Sequence, residues 1–304
     1  MPCLPAGRNF AVPGNRDVQS QVSRRNRGDA IFRAGTMVFA ASIPLLFFLV
    51  LAMLLFQSRL ALFTFGPGFF WSSVWNPVKN QYGALPFIYG TLVSSLLALL
   101  IAAPLGVGCA IYLSEVSASR FKEWIATMVD LLAAIPSVVF GLWGIFILGP
   151  IFGLSLMSAG VLLAIMILPT ITAISREILQ AVPGTLRESA RALGATKWET
   201  IKLSVLPPAA SGIIGSIVLG LGRALGETMA VTMVIGNRPE ISGSLLAPAY
   251  SLSAVLANEF AEASSDLNFS VMVEIGLILL IITVLVNGLA RLLVWKMVSN
   301  SRIQ

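Results

Sequence analysis

Long apolar runs alternate with short, charged connections along the whole chain. Six of the runs are long enough to cross a bilayer, whose hydrocarbon core takes about 20 apolar residues in helical form. They fall at roughly 36–56, 85–114, 124–148, 157–175, 207–235 and 270–295. The second exceeds what a bilayer needs, so it is predicted to tilt or to kink at Pro104. Residues 1–33 are polar and rich in Arg, Asn, Gly and Pro, which predicts a cytoplasmic N-terminal tail. That stretch is too long and too polar for a secretory n-region, and the run after it is too long for a signal h-region. The pattern as a whole predicts an all-α polytopic membrane protein, with six transmembrane helices in a domain spanning 34–300.

Basic residues orient these spans, because Lys and Arg collect in cytoplasmic loops. With the N-terminus inside, the tail holds Arg8, Arg16, Arg24, Arg25, Arg27 and Arg33. Arg120 and Lys122 follow the second span. Arg176, Arg187, Arg191, Lys197 and Lys202 follow the fourth, and Arg291, Lys296 and Arg302 close the chain. The outer loops hold only Arg59, Lys79 and Arg238. The asymmetry predicts that both termini are cytoplasmic.

Composition changes the picture in three ways. Only 11% of residues are charged and 57% are hydrophobic, whereas soluble domains run about 25% charged. There is no histidine, which removes the commonest general base and the commonest metal ligand. The two cysteines, Cys3 and Cys109, have no metal-ligand spacing and form no disulfide framework. No metal or cofactor is expected. The net charge of +6 reads as basic cytoplasmic loops beside lipid, not as a nucleic-acid surface.

The first outer loop is aromatic. Phe69, Phe70, Trp71, Trp75 and Tyr82 suit a belt at the membrane interface, with partner binding as the other reading. The last outer loop, 237–268, is long for a passive connection and carries Glu240, Glu259, Glu262 and Asp266. It contains an amphipathic piece, "SLSAVLANEF", and the loop is a candidate face for an extracytoplasmic partner.

The loop 183–207 is the most informative stretch. Pro183 and Gly184 break the chain before it. Thr185 with Glu188, and Thr196 with Glu199, have capping-box spacing, and Gly194 stands where a helix-ending glycine would. The product is an isolated helix of about two turns, marginal alone in water. Leu186, Ala190 and Leu193 fall on one face of it, Arg187 and Arg191 on another. It must pack either on its own chain or on another subunit.

This stretch resembles the EAA loop of ABC-importer permease subunits: Glu-Ala-Ala, three residues, Gly, nine residues, then Ile-x-Leu-Pro. Here it reads Glu188-Ser189-Ala190, then Gly194, then Ser204-Val205-Leu206-Pro207. Ser189 stands for an alanine and Ser204 for the isoleucine. Three further stretches, "ALPFIYGTLVSSLLALLIAAPLGVGCAIYLSE", "DLLAAIPSVVFGLWGIFILGP" and "GRALGETMAVTMVIGN", are similar to the PstC-type permeases of phosphate importers. Together the resemblance covers 31–298. It implies a type I importer permease (MetI-like) fold in a bacterial inner membrane. It also implies that Glu188, Ser189, Ala190, Gly194, Leu206 and Pro207 couple the chain to an ATPase. The implied partners are a PstA-like second permease, PstB-like ATPase subunits and a periplasmic PstS-like phosphate-binding protein. The chain carries no Gly-x4-Gly-Lys-Ser/Thr, since none of its lysines follows a glycine, so ATP must be hydrolysed on a separate subunit.

Arg223 and Glu227 stand near the middle of the fifth apolar run, where a charge is expensive and usually functional. Four residues apart, they share a face of a continuous helix, although Arg before Glu is the weaker order for mutual pairing. Gly222, Gly226 and Ala230 form one small-residue stripe beside them, and Gly212, Ser216 and Gly220 a second; such stripes admit close helix contact. A structural reading is a buried salt bridge that fixes helix register. The functional reading is an oxyanion path: arginine offers a planar fork to an oxyanion, and a carboxylate accepts a hydrogen bond from protonated phosphate, which sulfate lacks. In the PstC-type permeases the matching residues are implicated in translocation. Asp130 and Glu274 read as structural. Rival readings are a permease for sulfate or molybdate and, against the loop, a secondary transporter.

Overall fold

The computed structural model describes residues 15–116 and 121–301. Arg8, Arg120, Arg302 and Cys3 lie outside them. The chain divides into two compact units, Met1–Met53 and Leu54–Gln304. The first unit consists, where described, of most of α1 (Asn15–Gln57). This helix begins well inside the stretch expected to be tail. Pro13 and Gly14 precede it, and no further proline occurs before Pro44, so nothing stops helix from running through the polar residues into the apolar run. Its membrane-length part is Gly28–Gln57.

The described residues of the second unit form helices joined by irregular segments, with two isolated bridges and no longer strand. Two short helices, α2 (Arg59–Phe65) and α3 (Gly68–Trp71), lead to α4 (Leu85–Ile111), which runs on into a π turn at Tyr112–Val116. Next come α5 (Phe121–Ala133), α6 (Ser137–Phe152) and α7 (Leu156–Ala181). The connecting loop then forms α8 (Gly184–Ala192) and α9 (Lys197–Thr200). A π turn at Ile201–Val205 joins α9 to α10 (Leu206–Leu225). The chain ends with α11 (Met229–Val234), α12 (Leu252–Glu259) and α13 (Asp266–Ser301).

Among the described residues, five helical stretches are long and apolar enough to cross a membrane: Gly28–Gln57, Leu85–Val116, Leu156–Ala181, Lys197–Leu225 and Asp266–Leu292. Lys122–Ala133 and Ser137–Phe152 make a sixth only if taken together, across a bend of 96°. The third apolar run is therefore not one straight helix. Pro136 disfavours helix at Ile135, and the chain turns extended at Pro136 itself (ψ 142°) before α6 begins. Pro104, by contrast, is accommodated inside α4.

α7 is the most deeply buried of the spanning stretches and packs along α4, α10, α5, α6 and α11. The α4 face against the core is a row of small residues at every fourth position, Ser94, Ala98, Ala102, Gly106 and Ala110, all buried. A side chain at Gly106 would meet Ile171 of α7, and one at Gly160 of α7 would meet Leu97 of α4. Lipid is as apolar as leucine, so what holds these helices together is close packing more than transfer out of water. The stripe Gly212–Ser216–Gly220 on α10 also packs on α7. Gly212 faces Ile178, Gly220 faces Ile171, and the Ser216 and Ser175 hydroxyls lie 2.8 Å apart. That seam lies within this chain.

The π turn before α10 has a local cause. Pro207 and Pro208 lack N–H groups, so the regular ladder to the preceding turn cannot form, and the Leu206 N–H reaches Ile201 O instead. The fifth apolar run, expected to continue to 235, stops being helix at Leu225 and resumes at Met229.

Candidate functional site

The break at Gly226–Thr228 places both charged residues of the fifth run. Arg223 lies in the last turn of α10 and Glu227 in the break, so the shared helical face expected for them does not exist. No ion pair joins them; among the described residues the salt bridges are Arg176–Asp130 and Arg187–Glu115. Arg223 Nη1 donates to Thr170 Oγ1 of α7 at 3.1 Å, and the rest of the guanidinium is exposed to a groove of about 1160 Å³. Glu227 Oε1 accepts from the Ala230 N–H at 3.2 Å, at the start of α11. The stripe Gly222–Gly226–Ala230 is interrupted for the same reason.

Irregular backbone at membrane depth survives only where protein or a water-filled cavity satisfies it. Here α12 does so. Ser253 Oγ donates to Glu227 O at 2.6 Å, and the Leu252 N–H donates to Thr91 Oγ1 of α4 at 2.9 Å. Leu252, Ser253, Ala254 and Val255 are buried. The amphipathic piece of the long loop is thus folded inward over the break. Thr170 and Ser253 are site residues that sequence reasoning missed; a serine in a long loop gives no signal of where it folds back.

The groove runs between α10 and α13 and is lined by Gly222, Arg223, Thr170, Thr283, Asn287 and Arg291 among others.

The loop 183–207 forms two helices, as its signals predict, but with one cap different. Thr196 and Glu199 form a capping box at α9, each side chain bonded to the other's backbone N–H. Thr185 does not cap α8: Pro183 is its N-cap residue, and Thr185 sits inside the first turn, where its carbonyl accepts from Ser189 Oγ. Pro183 at N-cap starts the helix early because its fixed φ (−55°) suits the entry. Gly194 has φ +87°. The Ala195 N–H reaches Ala190 O and the Gly194 N–H reaches Arg191 O, the paired bonds of a Schellman ending.

α8 buries none of its residues; Leu186 is exposed, Leu193 is 90% exposed, and Glu188 and Ser189 face outward. Ala190 and Leu206 are half-buried, and Pro207 is exposed. What ties α8 down is Arg187. Its guanidinium donates to both Glu115 oxygens (3.0 and 2.6 Å) and to the carbonyls of Val182 and Leu179 (2.6 and 2.7 Å). The bidentate bond to Glu115 holds the Arg187 pKa above its ordinary value. Lys197 Nζ adds a bond to Val116 O at 2.9 Å. The end of α4 is therefore the common anchor of α8 and α9. Nothing local to Glu115 in the sequence points to this.

The aromatic loop after α2 caps a second core more than it forms a belt. Phe69 and Tyr82 are buried, Trp75 packs edge-on against Tyr82 and Phe87, and only Trp71 among the five aromatics is fully exposed. Trp75 Nε1 donates to Glu259 Oε2 at 3.0 Å, and Asn258 Nδ2 donates to the Tyr250 hydroxyl at 3.0 Å. Burial pushes Tyr250 up to about 12 and raises the Glu259 carboxyl above its ordinary range. Asp130 pairs with Arg176 at 3.4 Å, and Glu274 is buried with neither oxygen hydrogen-bonded among the described residues. No group of three or more potential metal ligands occurs among the described residues.

The chain belongs to the binding-protein-dependent transport system inner membrane component family, whose sequence profile matches residues 102–299. It is a transport component and not an enzyme. It is 43% identical to the phosphate transport system permease protein PstC of Mesorhizobium japonicum, covering 94% of this chain and 95% of that protein. With PstC of Pasteurella multocida the identity is 42%, over 92% and 97% of the two chains. The fold is shared with a bacterial ABC transporter involved in the import of the acidic polysaccharide alginate. That match has a TM-score of 0.60 at 16% identity and covers 91% of this chain and 99% of that one. It is shared also with the inward-facing MetNI methionine ABC transporter, with a TM-score of 0.54 at 21% identity over 70% and 94%.

Proposed function

We propose that this protein is a permease subunit of an ATP-driven phosphate importer in a bacterial inner membrane. It crosses the membrane six times, with α5 and α6 forming one bent crossing and both termini in the cytoplasm. It forms half of the translocation path, opposite a PstA-like permease. It receives phosphate from a PstS-like binding protein and is driven by PstB-like ATPase subunits docked on α8 through Glu188, Ser189, Ala190 and Gly194, with Leu206 and Pro207 anchoring the following helix.

The observation that carries this reading is the state of Arg223. Among the described residues its guanidinium pairs with no carboxylate and hydrogen-bonds to the Thr170 hydroxyl alone, and it opens onto a groove. An arginine has five N–H donors in a planar fork, so most remain for an oxyanion. Glu227, in the break that follows α10, offers a carboxylate to accept a hydrogen bond from the hydroxyl that phosphate, unlike sulfate, still carries at neutral pH. The identity to PstC permeases supports the choice of phosphate. The unburied apolar side of α8 supports docking to a separate subunit.

The test is uptake of labelled phosphate and sulfate in cells lacking other phosphate carriers, with assembly checked by co-purification. Arg223→Met with Glu227→Leu is expected to abolish phosphate uptake in an assembled complex. Arg223→Lys is expected to be weak, because an ammonium lacks the fork. Near-normal uptake by the assembled double variant would remove both residues from the path.

A further inference from the structure

Thr283, Asn287 and Arg291 recur at every fourth position of α13, on one stripe, in a helix whose membrane-length part is strongly apolar on average. All three line the groove onto which Arg223 opens. Helical rise places them about 6 Å apart, so the stripe runs about 12 Å along the axis toward the C-terminal end. Asn287 is the member beside Arg223's turn. A Cβ at Gly222 would stand 3.3 Å from Asn287 Nδ2 and 3.4 Å from its Oδ1. The amide lies close to the α10 backbone next to Arg223, in space that a Cβ at residue 222 would crowd. Arg291 forms no salt bridge among the described residues.

We propose that Thr283, Asn287 and Arg291 are a second station for the transported oxyanion, one that takes it from Arg223 toward the cytoplasmic end of α13. This rests on the phosphate-import reading above. A lone arginine in a low-dielectric path would hold a phosphate tightly, and conduction requires sites weak or numerous enough for the ion to leave. Asn287 supplies a neutral intermediate contact. Its N–H groups donate to phosphate oxygens and its carbonyl accepts from the phosphate P–OH, so one side chain serves both kinds of oxygen. Arg291, just over one turn further along, draws the anion out of the groove. Arg223 and Arg291 then bracket a polar step inside an otherwise apolar wall. Polar side chains inside membrane spans are retained for such paths.

The experiment uses the whole transporter, assembled with its second permease, ATPase and binding protein in liposomes, and measures phosphate moved per ATP hydrolysed. Asn287→Leu is expected to lower that ratio about tenfold or more, the size expected on losing hydrogen bonds to a charged ligand, while assembly and ATP hydrolysis persist. Gly222→Val, which fills the groove from the opposite wall, is expected to do the same. Leu289→Ala, off the stripe, is expected to keep the wild-type ratio. An unchanged ratio in the assembled Asn287→Leu transporter overturns the inference. So does loss of assembly in both Asn287→Leu and Gly222→Val, which would make the groove a subunit seam. The wild-type transporter reads the parent proposal separately: if it moves no phosphate, the import reading fails whatever the variants do.

Discussion

Arg187 and Glu115, 72 positions apart in the chain, are joined by two hydrogen bonds of 3.0 and 2.6 Å in a partly buried clamp. Glu115 closes the π turn that ends α4, and Arg187 sits on α8. The same guanidinium reaches two carbonyls at the end of α7. An otherwise exposed short helix is thereby fixed to the ends of two long apolar helices.

Removing one partner of such a clamp should cost more than removing both, because a charge is left buried and unpaired. Arg187→Met is expected to destabilise by about 3 kcal/mol. Arg187→Met with Glu115→Leu is expected to recover part of that loss. Melting of the purified protein measures stability, and phosphate moved per ATP measures coupling. Equal stability of the single variant and wild type would deny the clamp a structural role.

Gly194 tests backbone geometry free of steric contact, since a Cβ there would meet nothing within 4 Å. Its φ of +87° alone is unfavourable for a branched side chain. Gly194→Val is expected to cost roughly 1–2 kcal/mol locally and to misalign α8, while the protein stays folded in the membrane. Gly194→Asn is expected to be milder. Co-purification with the ATPase and phosphate uptake, measured side by side, would show no difference between the two variants if the left-handed ending is unimportant.

Gly90 is the converse case. Its Cβ would run into the Tyr250 backbone carbonyl, which cannot swing aside as a side chain can. Gly90→Ala is expected to cost about 1–3 kcal/mol by overpacking and to loosen the loop that covers the Glu227 break. Faster cleavage after the exposed Glu240 by a glutamate-specific protease is the expected sign. Cleavage at the wild-type rate would mean that α4 and the loop can separate without cost.

Glu259 makes the second core, around Trp75 and Tyr250, sensitive to pH. Burial raises its carboxyl, while the Trp75 N–H pulls in the other direction. The fold favours the protonated form, so this group's stabilisation is fully present below the ordinary carboxylate pKa and is lost as pH rises through the raised value. Melting temperature is therefore expected to carry a component that falls over that window. Glu259→Gln, which still accepts from Trp75, is expected to remove it; an identical pH profile in the variant would assign the dependence elsewhere.

Much of this protein is legible in its sequence, for physical reasons that act locally. Long apolar runs find the spanning helices because a bilayer demands length and internal hydrogen bonding from each segment alone. Thr196 with Glu199, and Gly194, mark their own caps because capping is decided within one turn. What the tertiary structure decided was where distant segments meet. The period-four reading of Arg223 and Glu227 assumed an unbroken helix, but Gly226–Thr228 leaves helical geometry and α12 returns through Ser253 to hold the break. Glu115 is one acidic residue at the end of an apolar run until α8 brings Arg187 to it. The stripe Gly212–Ser216–Gly220 announced a close contact but not with what; α7 of the same chain fills it. Packing partners across a helical bundle are set by the sum of many weak contacts, none of which is written in the spacing of a single segment.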